Sequence, residues 1–287
     1  MFFFRLVVKT LPALALVLVF FTNAGAYIPP APFIIELMVK NREMPEQLQV
    51  NQEIIIYPGA EKEPEELEQK VYFRLPDSFR SEISTDNLLR IHISNRGSSA
   101  TVLDGELLEG QEPWHTCYKD LFLLDSRRDV IEYLAARGVD TDVSSPGRLD
   151  KNLVYVIGAS FPDEGKRQLW IDKKSFYPVR WIVTPAQKAE KPPVHEIRYL
   201  DWEQRQNKLY PGKIEFYENG EKFQVMVIDN IEANPSLPGD LFDTDALRKS
   251  VSKESGGRQE QKDAGGAGDD IRQQIEKFKN IYESGPR

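Results

Sequence analysis

The 287-residue sequence has one cysteine, Cys117, and three histidines, His92, His115 and His195. A single thiol excludes an internal disulfide framework, a Cys-cluster metal site and CxxC redox chemistry. The histidines are too scattered in sequence to suggest a metal site, although a fold could gather them. Positive charge is also short, with 37 Lys and Arg against 45 Asp and Glu and a net charge of −8. Phosphate backbones need clustered cations, so nucleic acid is excluded as the main partner. There is no G-x-S-x-G, no H-E-x-x-H and no phosphate loop. Gly158-Ala159-Ser160 lacks the second glycine of a nucleophile elbow. His92 lies between Arg90 and Ser94 on a strand pattern and reads as a surface residue. Asp163 and Glu164 sit in a turn before Gly165. The sequence therefore predicts a protein that is not an enzyme and carries no metal or cofactor.

What is present begins with a leader. Arg5 and Lys9 precede an apolar run from Leu11 to Phe21, and Thr22 to Ala26 ends in a small-x-small pattern. This predicts a secretory signal peptide cleaved after Ala26, since the run is short for a membrane span of ~20 residues. No cysteine directly follows the run, so the chain is not expected to be itself a lipoprotein of the bacterial type. Cys117 is then alone in an oxidising compartment and is expected to be buried.

After a Pro-rich stretch, Ile34, Ile35, Leu37 and Met38 predict a short amphipathic helix that starts near Pro32 and reaches about Asn41. The remainder is mostly period-two alternation. Leu48 to Tyr57 alternates, Glu61 to Gln69 reads as a solvated loop, and Val71, Phe73 and Leu75 share a face. Leu89, Ile91 and Ile93 form one face of a strand, and Ala100 to Leu103 returns after a turn. Strands follow around Val154, Leu169, Trp181, Ile197, Ile214 and Val225. Asn219-Gly220 supplies the positive φ angles of a type I′ hairpin. The pattern is an α+β chain, mainly antiparallel β, with about ten or eleven strands in a meander. A sheet that long avoids exposed edges by curving into a barrel or half-barrel. Two helical pieces, His115 to Leu124 and Ser126 to Arg137, interrupt the meander. Ser126-x-x-Asp129 resembles a capping box and Gly138 a stop. A helical insert there most simply lies across the concave face.

Leu89, Ile91, Ile93, Leu169, Ile171, Trp181, Ile197, Tyr199, Ile214, Phe216 and Val225 are expected to line that face. They read either as a core filled by the helices or as an apolar cavity under a lid that carries Leu121, Phe122, Leu124 and Ile131. If Trp181 lines a cavity, Trp181→Glu weakens binding and leaves the fold intact. The end of the chain differs. Residues 249–270 have linker composition, and 271–284 read as a short helix with Ile271, Ile275, Phe278 and Tyr282 on one stripe, docked on its own domain or on a partner.

Three segments resemble the LolA family of periplasmic lipoprotein carriers, in particular its lipoprotein-sorting branch. They are Val71-Tyr-Phe-Arg-Leu-Pro-Asp-Ser-Phe-Arg80, Gln168-Leu-Trp-Ile-Asp-Lys-Lys-Ser-Phe-Tyr-Pro-Val-Arg180, and the strand ending at Leu241-Phe242. The resemblance spans about 31–247 and implies an incomplete, strongly curved antiparallel barrel with helices as a lid. It implies binding of acyl chains without catalysis. In the best-known carriers an Arg directly precedes the Pro of the early strand and latches the lid. That position is Leu75 here, so the nearest candidates are Arg74 and Arg80.

The expectation is a monomeric periplasmic protein of a Gram-negative bacterium, with residues 27–248 as its lipid-binding domain. It would bind lipid or lipoprotein acyl chains and move them between an inner-membrane transporter and an outer-membrane acceptor. The alternatives are an accessory factor of an inner-membrane exporter of another hydrophobic molecule, and an envelope-stress sensor or scaffold. Copurified lipid separates the carriers from the scaffold, and turnover of lipid would mark an enzyme.

Overall fold

A computed structural model describes residues 28–58, 63–85, 88–108, 112–183, 193–202 and 210–258, together with Glu276 and Phe278. The leader, its cleavage after Ala26 and most of the tail lie outside the described residues. Among these residues no helix is long and apolar enough to cross a membrane.

Helix α1 (Ala31–Arg42) buries Ala31, Ile34, Ile35, Met38 and Arg42, a stripe at helical spacing in which the last member is a cation. Pro sits in its first turn, as the sequence predicts, and Glu43 ends it in the left-handed region at φ 44. Then come β1 (Gln47–Ile56), β2 (Glu65–Arg74), β3 (Ser78–Thr85), β4 (Leu88–Asn95), β5 (Ser98–Leu103) and β6 (Glu106–Leu108). A 3₁₀ turn (Trp114–Lys119), α2 (Asp120–Leu123) and α3 (Arg127–Ala136) follow. The second run comprises β7 (Ser144–Leu149), β8 (Asn152–Ile157), β9 (Gln168–Asp172), β10 (Pro178–Val183), β11 (His195–Leu200), β12 (Lys213–Glu218) and β13 (Glu221–Ala233). Helix α4 (Thr244–Arg258) comes last.

All thirteen strands form one antiparallel sheet, in the order β6-β5-β4-β3-β2-β1-β13-β12-β11-β10-β9-β8-β7. Two meanders are joined through β1 and β13, and among the described residues the sheet does not close into a barrel. Its free edges, β6 and β7, are short, and β7 carries Pro146, which suits an edge because proline donates nothing to a ladder. The segment connecting those edges is the 3₁₀ turn with α2 and α3. It must cross the mouth of the curved sheet, which is why it lies where the sequence places a lid. Ser126 caps α3 by accepting from the Asp129 N–H at 3.1 Å, and Gly138 stops it at φ +78. Asn219 and Gly220 take φ 52 and φ 85 in the β12–β13 hairpin, as a type I′ turn requires.

The strand count exceeds the sequence-based figure because β3, β6 and β7 lack the apolar alternation that marks the other strands. One further strand, β2, is longer than its sequence pattern suggests. Glu65–Gln69 is a strand and not a loop, because it pairs with β1 although its side chains are mostly acidic. Strand β3 places Ser81 between Phe79 and Ile83 on its inner face, so its alternation is weak in apolar terms. At the other end, α4 continues through Lys249–Arg258, where composition predicts linker. Its start is fixed by Leu247 and Val251 packing with Ile93, Ala100, Val102 and Phe242 on the outside of the sheet.

Strand register assigns the two faces, since directly paired residues point the same way. One row on the inner face runs Ile157–Leu169–Trp181–Ile197–Phe216–Gln224 and joins Ile56 of β1. Another runs Val50–Val71–Ser81–His92–Thr101. Helix α1 and the segment 112–136 cover this face, and together they form the main apolar cluster.

Candidate functional site

The inner face is the candidate site, and the strap Glu112–Ala136 is the segment that covers it. Phe122 of α2 is fully buried against aromatic rings, with centroids 4.6 Å from Tyr210, 5.8 Å from Tyr199 and 6.3 Å from Phe73. Leu121 is buried beside it, while Leu124 and Ile131 are half-buried against the same cluster. Trp114 stacks on His195, with rings 4.0 Å apart and an interplanar angle of 11°. Tyr118 closes on Phe216 at 5.8 Å. The strap therefore presents its apolar side chains inward and fills the face it covers.

Polar ties hold the strap in this position. The Nη2 of Arg42, in the last turn of α1, donates to the carbonyl of Leu124 at 2.8 Å. Tyr199 Oη donates to the carbonyl of Tyr118 at 3.4 Å. At the strap's start, Glu112 lies 3.2 Å from His92 Nε2 and accepts from Lys119 Nζ at 2.9 Å. Burial alone would raise the Glu112 carboxyl, but His92 and Lys119 hold it well below the carboxylate range. Lys119 also faces Asp120 at 3.4 Å, and Asp120 accepts from the Tyr133 hydroxyl and lies 3.5 Å from Arg137. Where this polar end meets solvent there is a cleft of about 790 Å³, lined by Asn95, Glu112, Lys119, Asp120, Arg137 and Arg167 among others. The polar row continues into the sheet. Gln52 Nε2 donates to Gln69 at 2.5 Å, Gln69 donates to Ser81 at 2.7 Å, and His92 Nδ1 lies 2.8 Å from Thr101 Oγ1.

The expected lining residues divide between the two faces. Leu169, Ile171, Trp181, Ile197, Tyr199, Ile214 and Phe216 lie on the inner face, all buried in the main cluster. Leu89, Ile91 and Ile93 do not. In the register Ile93 pairs with Arg80 and Ala100, and Ile91 with Glu82 and Val102, all on the outer face. Leu89 is exposed, and Ile91 and Ile93 pack under α4. Strand β4 is thus inverted relative to the hydropathy reading, with Arg90 and His92 buried on the inner side. Val225 also points outward, paired with Glu215 and Ile55, because the bulge at Phe216/Tyr217 shifts the phase and turns Met226 inward.

The latch is likewise elsewhere. Arg80 bonds Glu82 at 2.6 Å and the Leu241 carbonyl at 3.1 Å, and Arg74 lies 4.5 Å over the Phe242 ring. Both therefore anchor the segment leading into α4 on the outer face. Arg42 is the arginine that ties down the strap, and the sequence reading missed it. The available signal was its position, four residues after Met38 on an otherwise apolar stripe.

His115 lies in the strap, whose Trp114 and Glu112 meet His195 and His92 of the sheet, and no described group of three His, Cys, Asp or Glu side chains could hold a metal. Burial lowers His115 to about 3 and His195 to about 4, and it lowers His92 against the pull of Glu112. An unfolded histidine titrates near ~6.5, so between there and the lowered values the unfolded chain binds protons that the folded chain refuses. Stability is complete above about pH 7 and falls as pH drops through that window. The midpoint of thermal unfolding is expected to fall steadily from pH 7 to pH 5, and His115→Phe should reduce the slope. A flat profile would contradict the burial of these rings. Cys117, expected to be buried, is half-buried against the same cluster, and desolvation of its thiol raises it well above the usual range.

No protein-family model and no curated protein sequence matches this chain. Solved structures do. An outer membrane lipoprotein-sorting protein domain from Vibrio parahaemolyticus superposes with a TM-score of 0.50 at 12% identity, covering 76% of this chain and 99% of that one. A DUF1329 family protein from Desulfovibrio piger gives 0.49 at 13% identity, covering 77% and 100%. A LolA superfamily protein from Nitrosomonas europaea gives 0.47 at 15% identity, covering 77% and 100%. The open antiparallel sheet, the helix before it and the strap across its inner face are a LolA-like fold. At these identities the likeness is one of fold.

Proposed function

We propose that this chain is a periplasmic binding protein that accepts an acyl chain of a lipid or lipoprotein on its inner face, with the strap displaced, and carries it between membranes without catalysis. The observation that carries this reading is the inward apolar surface of α2. Phe122, with Leu121 beside it, occupies an aromatic slot made by Phe73 and Tyr199 of the sheet and Tyr210 just before β12, and both arrive on a segment joined to the sheet's two free edges. A guest that takes that slot needs only the strap to move.

The energetics suit a carrier. Burying acyl chain is worth about 0.8 kcal/mol per CH₂, so a ~14-carbon chain asks for roughly 10 kcal/mol from whatever removes it from a bilayer. A lid that closes over the empty face competes with the guest and makes release feasible. Hydrogen exchange on the full chain tests this. Palmitate is expected to speed amide exchange across residues 114–136 while leaving β1 and β13 protected. Unchanged exchange in the strap with palmitate bound would reject displacement.

A further inference from the structure

Arg42 is buried, and its guanidinium is only partly satisfied. Nη2 reaches the Leu124 carbonyl at 2.8 Å, whereas Nε and Nη1, which carry three of the five N–H donors, have no hydrogen-bond partner among the described residues. Asp125 acts on it through space without bonding those nitrogens. The carbonyl end of α1 favours a cation there, and burial lowers Arg42 only to about 10, so it stays charged at neutral pH. A planar fork with free donors is the usual means of recognising carboxylate or phosphate.

The strap segment that meets Arg42 has the form of a ligand. Phe122 fills the aromatic slot, and two residues later, within about 7 Å along the chain, the Leu124 carbonyl oxygen accepts from Arg42. When the strap leaves, the slot loses its apolar occupant and Arg42 loses the one hydrogen bond it makes to an oxygen. A molecule that replaced both would place an acyl chain in the slot and an oxyanion on the fork.

We infer that Arg42 is a headgroup site and that the preferred guest is an acyl amphiphile with an anionic head, a carboxylate or a phosphate. This rests on the acyl-binding reading and narrows its ligand class. A neutral acyl ester fills the slot but leaves the buried fork unpaired, which is how a polar site discriminates.

The test is a set of affinities measured on the full chain at pH 8 for four probes: palmitate, 1-palmitoylglycerol 3-phosphate, methyl palmitate and 1-palmitoylglycerol. The two anions are expected to bind at least 10-fold tighter than their neutral counterparts, and the stronger of the two anions identifies the headgroup. Arg42→Met should bring each anion-to-neutral ratio to about one. The ratio is the proper readout because Arg42→Met also frees the strap, which shifts all four affinities together. Equal binding of anions and neutral esters by the unsubstituted chain would overturn the headgroup site and leave acyl binding standing. So would a ratio that survives in Arg42→Met. If the substituted chain fails to fold, the unsubstituted ratio decides alone. Failure of all four probes to bind would remove the acyl-binding reading and this inference with it.

Discussion

Trp181→Glu is expected to abolish cooperative folding. Trp181 is 1% exposed, paired between Leu169 and Ile197 in the inner row, with Tyr133 of the strap 6.0 Å from its ring. Removing that indole alone costs about 3–5 kcal/mol, and an unpaired carboxylate in the same space adds a desolvation penalty of several more. A domain of this kind has about 5–15 kcal/mol in all. Of the two roles the sequence leaves open for Trp181, cavity wall or packed core, its burial beneath the strap matches the second, where a charge is not tolerated. Circular dichroism and urea titration should show no native baseline. A cooperative transition at the original midpoint would mean that the indole side is hydrated.

Phe122→Ala is expected to act on the strap. Deleting a buried phenyl costs about 3–5 kcal/mol, and Phe122 belongs to the lid and not to the sheet. If strap closure is what opposes the guest, that loss is subtracted from the competing closed state. Each 1.4 kcal/mol is then tenfold in apparent affinity, so palmitate should bind at least roughly a hundredfold tighter. Overall stability falls at the same time. The opposite outcome, weaker binding by Phe122→Ala, would make Phe122 part of the guest's own contact surface and the strap a wall of the site.

Much of the fold was legible in the sequence because its signals are local. The Asn219-Gly220 hairpin, the Ser126 cap with the Gly138 stop, and the alternations at Leu169–Ile171 and Ile197–Tyr199 each depend on a few neighbouring residues, and each appears where expected. Strand β4 shows where local reading ends. Leu89, Ile91 and Ile93 alternate with Arg90 and His92, and apolar residues usually face in. Here both faces are covered, one by α4 and the other by the strap, so hydropathy could not choose between them. The inner orientation gives His92 two polar partners, Thr101 and Glu112, and Glu112 lies distant in the chain and is itself held by Lys119. The bulge in β12–β13 hid the phase of Val225 in the same way, since one extra residue inverts every side chain beyond it. Arg42 was missed because a latch was sought on a strand, whereas its partner, the Leu124 carbonyl, is a backbone group that no sequence pattern displays. The tail adds a last case. Phe278, expected on an apolar stripe with either its own domain or a partner as its mate, is buried in the main cluster of its own chain.

The central claim is that the inner face gives up its strap for an acyl chain. Native mass spectrometry of the full chain, isolated from periplasm without detergent and followed by organic extraction, tests it most directly. The account predicts a stoichiometric adduct whose extract contains an acylated species. An unliganded protein that also takes up no fluorescent fatty acid would contradict it, and would mean that α2 and its aromatic slot are a permanent core.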